Sequence, residues 1–231
     1  MTSPQFSSGD LIADRRADYA RMFAESGEFA EAAELMEQAL EEAPLWAAGW
    51  FRLAEYAEKS GRKEAATAAL KKVVELDPTD IFGAGLKLAV LGAAETPAAP
   101  PTPYVERLFD DYADRFDAAL VERLHYTVPQ TLARLIRNHA GAAAAFGLVA
   151  DIGCGTGLFG VEFRQNAGRL EGFDLSAGML AKATEKGVYD HLAQADLSLP
   201  SEKSGLFVEG PEGRADLVSA ADVLMYLGDL A

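Results

Sequence analysis

The hydrophobic pattern changes period partway along the chain. Up to about residue 92, apolar and small residues recur as on amphipathic helices, and the pattern occurs twice. Sliding the sequence by 34 residues sets Tyr19-Ala20 on Leu53-Ala54, Ser26-Gly27 on Ser60-Gly61, Ala32 on Ala66, Met36 on Leu70, Ala39 on Val73 and Pro44 on Pro78. Each unit predicts two helices joined at the glycine, with the proline stopping the second. The small residues let the paired helices approach, and the larger ones fill between them. A further helix over "IFGAGLKLAVLG" caps the stack. Residues 93–103, "AAETPAAPPTP", hold four prolines and predict a semi-stiff extended connector.

Beyond the connector the pattern is first helical, then strand-like. Phe109, Tyr112 and Phe116 share one helix face, read first as a core stripe. Pro129 opens a second helix with Leu132, Leu135 and Ile136 on its apolar face, ending at Gly141. An apolar run from Phe146 to Ile152 then predicts a strand, broken only by Asp151. "RLEGFDLSAGMLAKATEKG" reads as a second strand ending at Asp174, a Ser176 cap, a helix and a Gly187 stop. A short third strand ends at Asp196, and a fourth runs from about Asp216 to Ala221. The fold class is therefore α/β: an all-helical repeat domain at 1–92 (repeats about 13–46 and 47–80, plus the capping helix), the linker at 93–103, and a Rossmann-like domain at 104–231.

Composition narrows the function. The net charge is −15, shared about evenly between the halves, and no Lys/Arg cluster is present, which argues against a nucleic-acid surface. One cysteine, Cys154, excludes a disulfide framework. With no signal-like N-terminus and no apolar run long enough to cross a bilayer, the expectation is a cytoplasmic chain without a membrane partner. His125, His139 and His191 lack metal-ligand spacing, so no metal is expected.

The densest chemistry lies in "VADIGCGTGLFG", residues 149–160. Gly155, Gly157 and Gly160 satisfy the dinucleotide pattern G-x-G-x-x-G, but the strand ends at Ile152, so that frame strands Asp151, Gly153 and Cys154. Acid-x-Gly-x-Gly-x-Gly fits instead: Asp151, Gly153, Gly155 and Gly157. This resembles the first motif of class I S-adenosylmethionine-dependent methyltransferases. A dinucleotide brings a pyrophosphate that wants backbone N–H groups, whereas S-adenosylmethionine brings a sulfonium and an ammonium, which favour a carboxylate beside the turn. "DLSAGMLAKA" extends the resemblance to Asp174, Ser176, Met179, Leu180 and Ala183. Residues 13–80 in turn resemble tetratricopeptide repeats. The second copy is the better match, with Trp50, Leu53, Ala54, Ala57, Gly61, Ala66, Leu70 and Pro78, while the first has Arg16 in the tryptophan's place.

The methyltransferase resemblance implies S-adenosyl-L-methionine as cofactor, held by Asp151, Gly153, Gly155, Gly157, Asp174, Leu175, Met179, Asp196 and Leu197. Asp174 would take the ribose hydroxyls, Asp196 the adenine amino group, and Leu197 the ring. It also promotes Tyr112 from core filler to a residue folded over the cofactor. Asp222 and Tyr226, at the end of the fourth strand, are the catalytic candidates. Cys154 reads as small filler. The family's sheet has seven strands and this sequence supplies four, so a C-terminally incomplete domain is expected, with most of the acceptor pocket missing. The expected reaction is in-line methyl transfer to a small molecule. The alternatives are a protein acceptor recruited through a peptide groove in the repeats, or a non-catalytic interaction protein. The repeats otherwise serve as packing or as a homo-oligomer surface.

Overall fold

The structure, a computed structural model, describes residues 7–141, 143–206 and 213–228. It separates into two compact units, residues 1–104 and 105–231. The first is helical: α1 (Leu11–Glu25), α2 (Phe29–Glu42), α3 (Ala47–Lys59), α4 (Lys63–Leu76) and α5 (Ala84–Val90). Asp10 starts α1 by accepting from the N–H groups of Ile12 and Ala13, which otherwise have no partner in a first turn. Gly27 and Gly61 adopt left-handed backbone between the paired helices, at φ 85° and 80°. Consecutive helices pack as the repeat predicts, with α1 on α2, α2 on α3, α3 on α4 and α4 on α5. Alanines 13, 17, 20, 32, 33, 39, 54 and 69 are buried at these contacts, with Met36, Leu70 and Trp46 between them. Trp50 donates its indole N–H to the Pro44 carbonyl at 2.8 Å, fixing the turn into its own helix. Arg16, in the equivalent place one repeat earlier, instead crosses to α2 and donates to the Gln38 carbonyl at 2.6 Å.

The second unit contains α6 (Thr102–Tyr112, which begins just before the boundary), α7 (Val128–Ala140), β1 (Phe146–Ile152), α8 (Leu158–Phe163), β2 (Ala167–Asp174), α9 (Ala177–Lys186), β3 (His191–Gln194), α10 (Ser201–Ser204) and β4 (Leu217–Ser219). The strands form one parallel sheet in the order β3-β2-β1-β4. In register, Asp151 lies beside Gly172 on one side and Ser219 on the other. The chain steps outward from β1 to β3 and then returns past β1 to β4, so direction reverses between β1 and β4. Ligands of open α/β sheets sit at the carboxyl ends of the strands beside such a reversal. One face of the sheet packs Val149 and Leu170 against Ala133 of α7 and Phe159 and Phe163 of α8. The other carries a smaller cluster of Ala150, Phe173 and Ala195. On that second face Glu171 is wholly buried, held by Arg214 through both carboxylate oxygens and by Arg169 at 2.6 Å. Burial alone would raise the Glu171 carboxyl, but the two guanidiniums outweigh it and hold it below the ordinary glutamate range.

Four expectations are corrected. The aromatic helix does not run through Phe116: α6 ends at Tyr112, tightens into a 3₁₀ turn over Ala113–Arg115 and widens into a π-helical stretch over Ala118–Arg123. Leu135 is 58% exposed, because α7 turns Pro129, Leu132, Ala133 and Ile136 inward instead. β3 stops at Gln194, since the Asp196 N–H leaves the ladder to bond the Ser204 carbonyl. β4 is three residues long and ends before Ala221. Among the described residues no helix is long and apolar enough to cross a membrane.

Candidate functional site

β1 delivers the chain into a turn that β2 pins from beside it. The N–H groups of Gly153 and Cys154 both donate to the Phe173 carbonyl, at 2.7 and 3.0 Å, and Gly157 closes the turn on Cys154 at 2.9 Å. Gly153, Gly155 and Gly157 all take positive φ, which a side chain would strain. Their surroundings differ. A Cβ on Gly153 would stand 2.4 Å from Val223, and one on Gly157 would stand 2.9 Å from Tyr189. At Gly155 nothing lies within 4 Å, so the bare backbone there faces open space.

Gly160 explains the false dinucleotide match. It lies inside α8, and a Cβ on it would meet the Tyr189 ring at 2.4 Å. Gly157 and Gly172 are crowded by the same ring, at 2.9 and 2.8 Å. Three glycines thus surround one tyrosine, and the third glycine of the literal pattern clears a side chain 29 residues away in sequence.

The tyrosine hydroxyl ends on Asp151. Asp151 is 1% exposed, and both its oxygens are occupied: Oδ2 accepts from Tyr189 and Oδ1 from Ser219, each at 2.7 Å. These hydrogen bonds tie β1 to β4 and to the segment before β3. Burial pushes its carboxyl up to about 6; the two hydroxyls pull the other way, and Asp174 adds to the rise.

Asp174, ending β2, is only half-buried. Its Oδ2 accepts the Gly155 N–H at 2.8 Å and its Oδ1 the Ser176 N–H at 2.9 Å. Desolvation raises its carboxyl, opposed by these amides and that of Leu175. The Cys154 thiol is pushed well up by burial, then by Asp151 and Asp174, and so is a poor nucleophile.

A cavity opens at the turn, lined by Phe116, Tyr126, Pro129, Asp151, Gly153, Cys154, Gly155, Thr156, Leu158, Phe159 and Ala221. Tyr112 does not line it; it packs edge-on to Phe116 at 5.5 Å under the Arg115 guanidinium. Asp222 takes left-handed backbone at φ 56° and lies near enough to Tyr126 to raise its hydroxyl. That hydroxyl is held protonated, by burial first and by Asp222 next. Tyr226 packs edge-on to Phe109, ring centres 5.1 Å apart. Met179 is 1% exposed and outside the cavity lining. The Leu175 carbonyl accepts from Gln194 at 2.8 Å. Asp196 and Leu197 are half-buried past the end of β3, and Asp196 Oδ1 accepts both the N–H and the hydroxyl of Ser198.

The sequence did not single out the ties that hold this site. Asp110 accepts the Ser176 hydroxyl at 2.5 Å and the Gly178 N–H at 2.9 Å, adding charge at the start of α9. Asp117 accepts the Thr156 hydroxyl and the Lys186 ammonium, while Lys186 also donates to the Thr156 carbonyl at 2.6 Å. Asp114 pairs with Lys182 at 2.9 Å. In the sequence, acids at 110, 114 and 117 have the spacing of one helix face, a signal that was there to find although α6 itself ends at Tyr112. Tyr126, Tyr189 and Ser219 gave no local signal.

Residues 149–230 match the methyltransferase domain family, and residues 23–87 match the tetratricopeptide repeat. No curated protein matches the chain. Among solved structures, a DhpI complex with SAM and HEP is 29% identical over 40% of this chain and 41% of its own, at a TM-score of 0.32. A DhpI–SAH complex is 27% identical over 48% of each chain, at 0.34. A mutant O-GlcNAc transferase of Thermobaculum terrenum is 15% identical over 87% of this chain and 43% of its own, at 0.32. The chain spans less than half the length of each of these. Residues 149–230, which hold the parallel sheet, thus carry a methyltransferase domain, and residues 23–87, which hold the paired helices, carry tetratricopeptide repeats.

Proposed function

We propose that this chain binds S-adenosylmethionine across the 153–157 turn and transfers its methyl group to a small-molecule acceptor in the cytoplasm. The observation that carries the reading is the open space at Gly155, directly beside the Asp174 carboxylate that its own N–H supports. A ligand can approach bare backbone there and meet a carboxylate with lone pairs left to accept two ribose hydroxyls. Asp196 and Leu197 lie beyond the next strand, in chain order for the adenine amino group and ring. Asp151 holds the turn through Tyr189 and Ser219, and its charge favours a cationic ligand in the cavity that it helps to line. Leu175 and Met179 serve by packing the start of α9, and Tyr112 by backing Phe116 at the cavity wall.

When bound, S-adenosylmethionine supplies an electrophilic methyl on a sulfonium. The protein's part is to align it and, for a protonated acceptor, to take up a proton. Asp222 is the candidate base, past the carboxyl end of β4 and near the Tyr126 hydroxyl. Tyr226 is set farther back, against Phe109. Calorimetric titration with S-adenosylmethionine, with NADH as control, tests the reading. We expect micromolar binding of the first alone, lost in Asp174→Ala. Binding of NADH, or of neither by a folded chain, overturns it.

A further inference from the structure

The 34-residue repeat makes the outer face of α1 comparable, position by position, with a face of α3 that is already covered. In α3, Leu53, Tyr56 and Ala57, with Trp46 just ahead of it, are all buried. α2 packs against this helix, and Gly49 lies so close that a Cβ on it would stand 3.0 Å from Leu40 of α2. The corresponding residues of α1 are Ile12, Arg15, Tyr19, Met22 and Phe23. They keep the apolar character and lack the cover: Ile12 is 54% exposed, Tyr19 61%, Met22 57% and Phe23 36%. The four apolar side chains expose on the order of 500 Å², the upper end of what one patch on a monomer usually shows.

We propose that this face binds the same face of a second copy of the chain, making a two-fold dimer through α1. Charge favours that occupant. α1 carries three acids and three arginines in a chain of net −15, so two such helices meet without net repulsion. The neighbouring α2 carries five glutamates and no base, and could not pair with itself. A two-fold arrangement sets Tyr19 and Met22 of each copy against apolar side chains of the other, as a self-complementary patch requires. Closing two faces would bury about 1,000 Å², the threshold for a specific interface. The dimer is independent of any ligand at the methyltransferase turn.

Sedimentation equilibrium of the full chain across the micromolar range tests this. The wild type should approach twice the monomer mass, and Tyr19→Glu and Met22→Glu should remain monomeric with unchanged helical circular dichroism and melting. Leu45→Glu, on a more exposed leucine in the α2–α3 connection rather than on α1, should stay dimeric. Because the only native cysteine, Cys154, is buried, Met22→Cys adds a second readout: mild oxidation should link two copies, and Leu45→Cys should not. A wild type that stays monomeric, a dimer indifferent to both glutamates, or equal linking at 22 and 45 would each overturn the proposal.

Discussion

Asp151 should make the methyltransferase unit less stable as pH rises through the weakly acidic range, and replacing it with asparagine should remove that dependence. Its carboxyl is pushed from 3.8 to about 6 by burial. The folded state therefore holds this proton more tightly than the opened state. Between about pH 4 and pH 6 the opened state has lost the proton while the folded state keeps it, so stability falls as pH rises and levels off above 6. Roughly two units at 1.36 kcal/mol each give about 3 kcal/mol, on the order of a hundredfold in the opening equilibrium. Asp151→Asn does not titrate. Whatever it costs to give Tyr189 and Ser219 an amide is constant in pH and drops out of the comparison. Both tryptophans, Trp46 and Trp50, lie in the repeat unit, so their fluorescence cannot report on this event. Cys154 can: it is the sole cysteine, 7% exposed and three residues from Asp151. Its labelling by 4,4′-dithiodipyridine, taken as the ratio of wild type to Asp151→Asn at each pH, cancels the intrinsic reactivity of the thiol. The ratio should climb about a hundredfold between about pH 4 and pH 7. A flat ratio refutes the account of Asp151 as a carboxylate whose charge the fold resists.

Three substitutions separate packing from binding. Gly160→Ala drives a methyl into the Tyr189 ring and should cost about 2 kcal/mol in urea unfolding, read by the same thiol; an unchanged midpoint counts against the glycine cage. Gly155→Ala meets no neighbour and should cost only about 1 kcal/mol, through its left-handed backbone. It should nevertheless abolish measurable S-adenosylmethionine binding by calorimetry, and retained affinity would remove Gly155 from the cradle. Ser176→Ala loses the cap of α9 and orphans an Asp110 contact, which should cost about 1 kcal/mol, visible as a lower melting temperature.

Elements set by local rules were legible in the sequence. The glycine and proline punctuation located all four repeat helices, and the Ser176 cap with its Gly187 stop located α9. The boundary errors fall where tertiary contacts overrule a local pattern. β3 ends early because the Asp196 N–H turns to Ser204, and the aromatic helix breaks after Tyr112 although its rings still pack together. Arg16 looked like a lapse in the repeat, but its guanidinium makes a long-range bond to α2 that replaces the missing indole.

The candidate site was legible only along its own segment of chain. The turn stood out because its glycines are as close in sequence as in space, and Asp174 because it ends the next strand, which pairs with β1 and brings it to Gly155 from 19 residues away. Asp151 did not, in the sense that matters. From sequence it is an acid beside a glycine turn, and a ligand is the natural partner to assign it. Its actual partners, Tyr189 and Ser219, are 38 and 68 residues away, and no local pattern could pair them. The same distance hid the role of Gly160. Once Tyr189 is seated among Gly157, Gly160 and Gly172, two separate puzzles of the sequence become one. The surplus glycine makes room for the ring, and the ring carries the hydroxyl that occupies the buried acid. A glycine motif therefore records two demands together: the open backbone at Gly155 on which the proposed ligand site rests, and the room that the neighbouring side chain needs at Gly157 and Gly160.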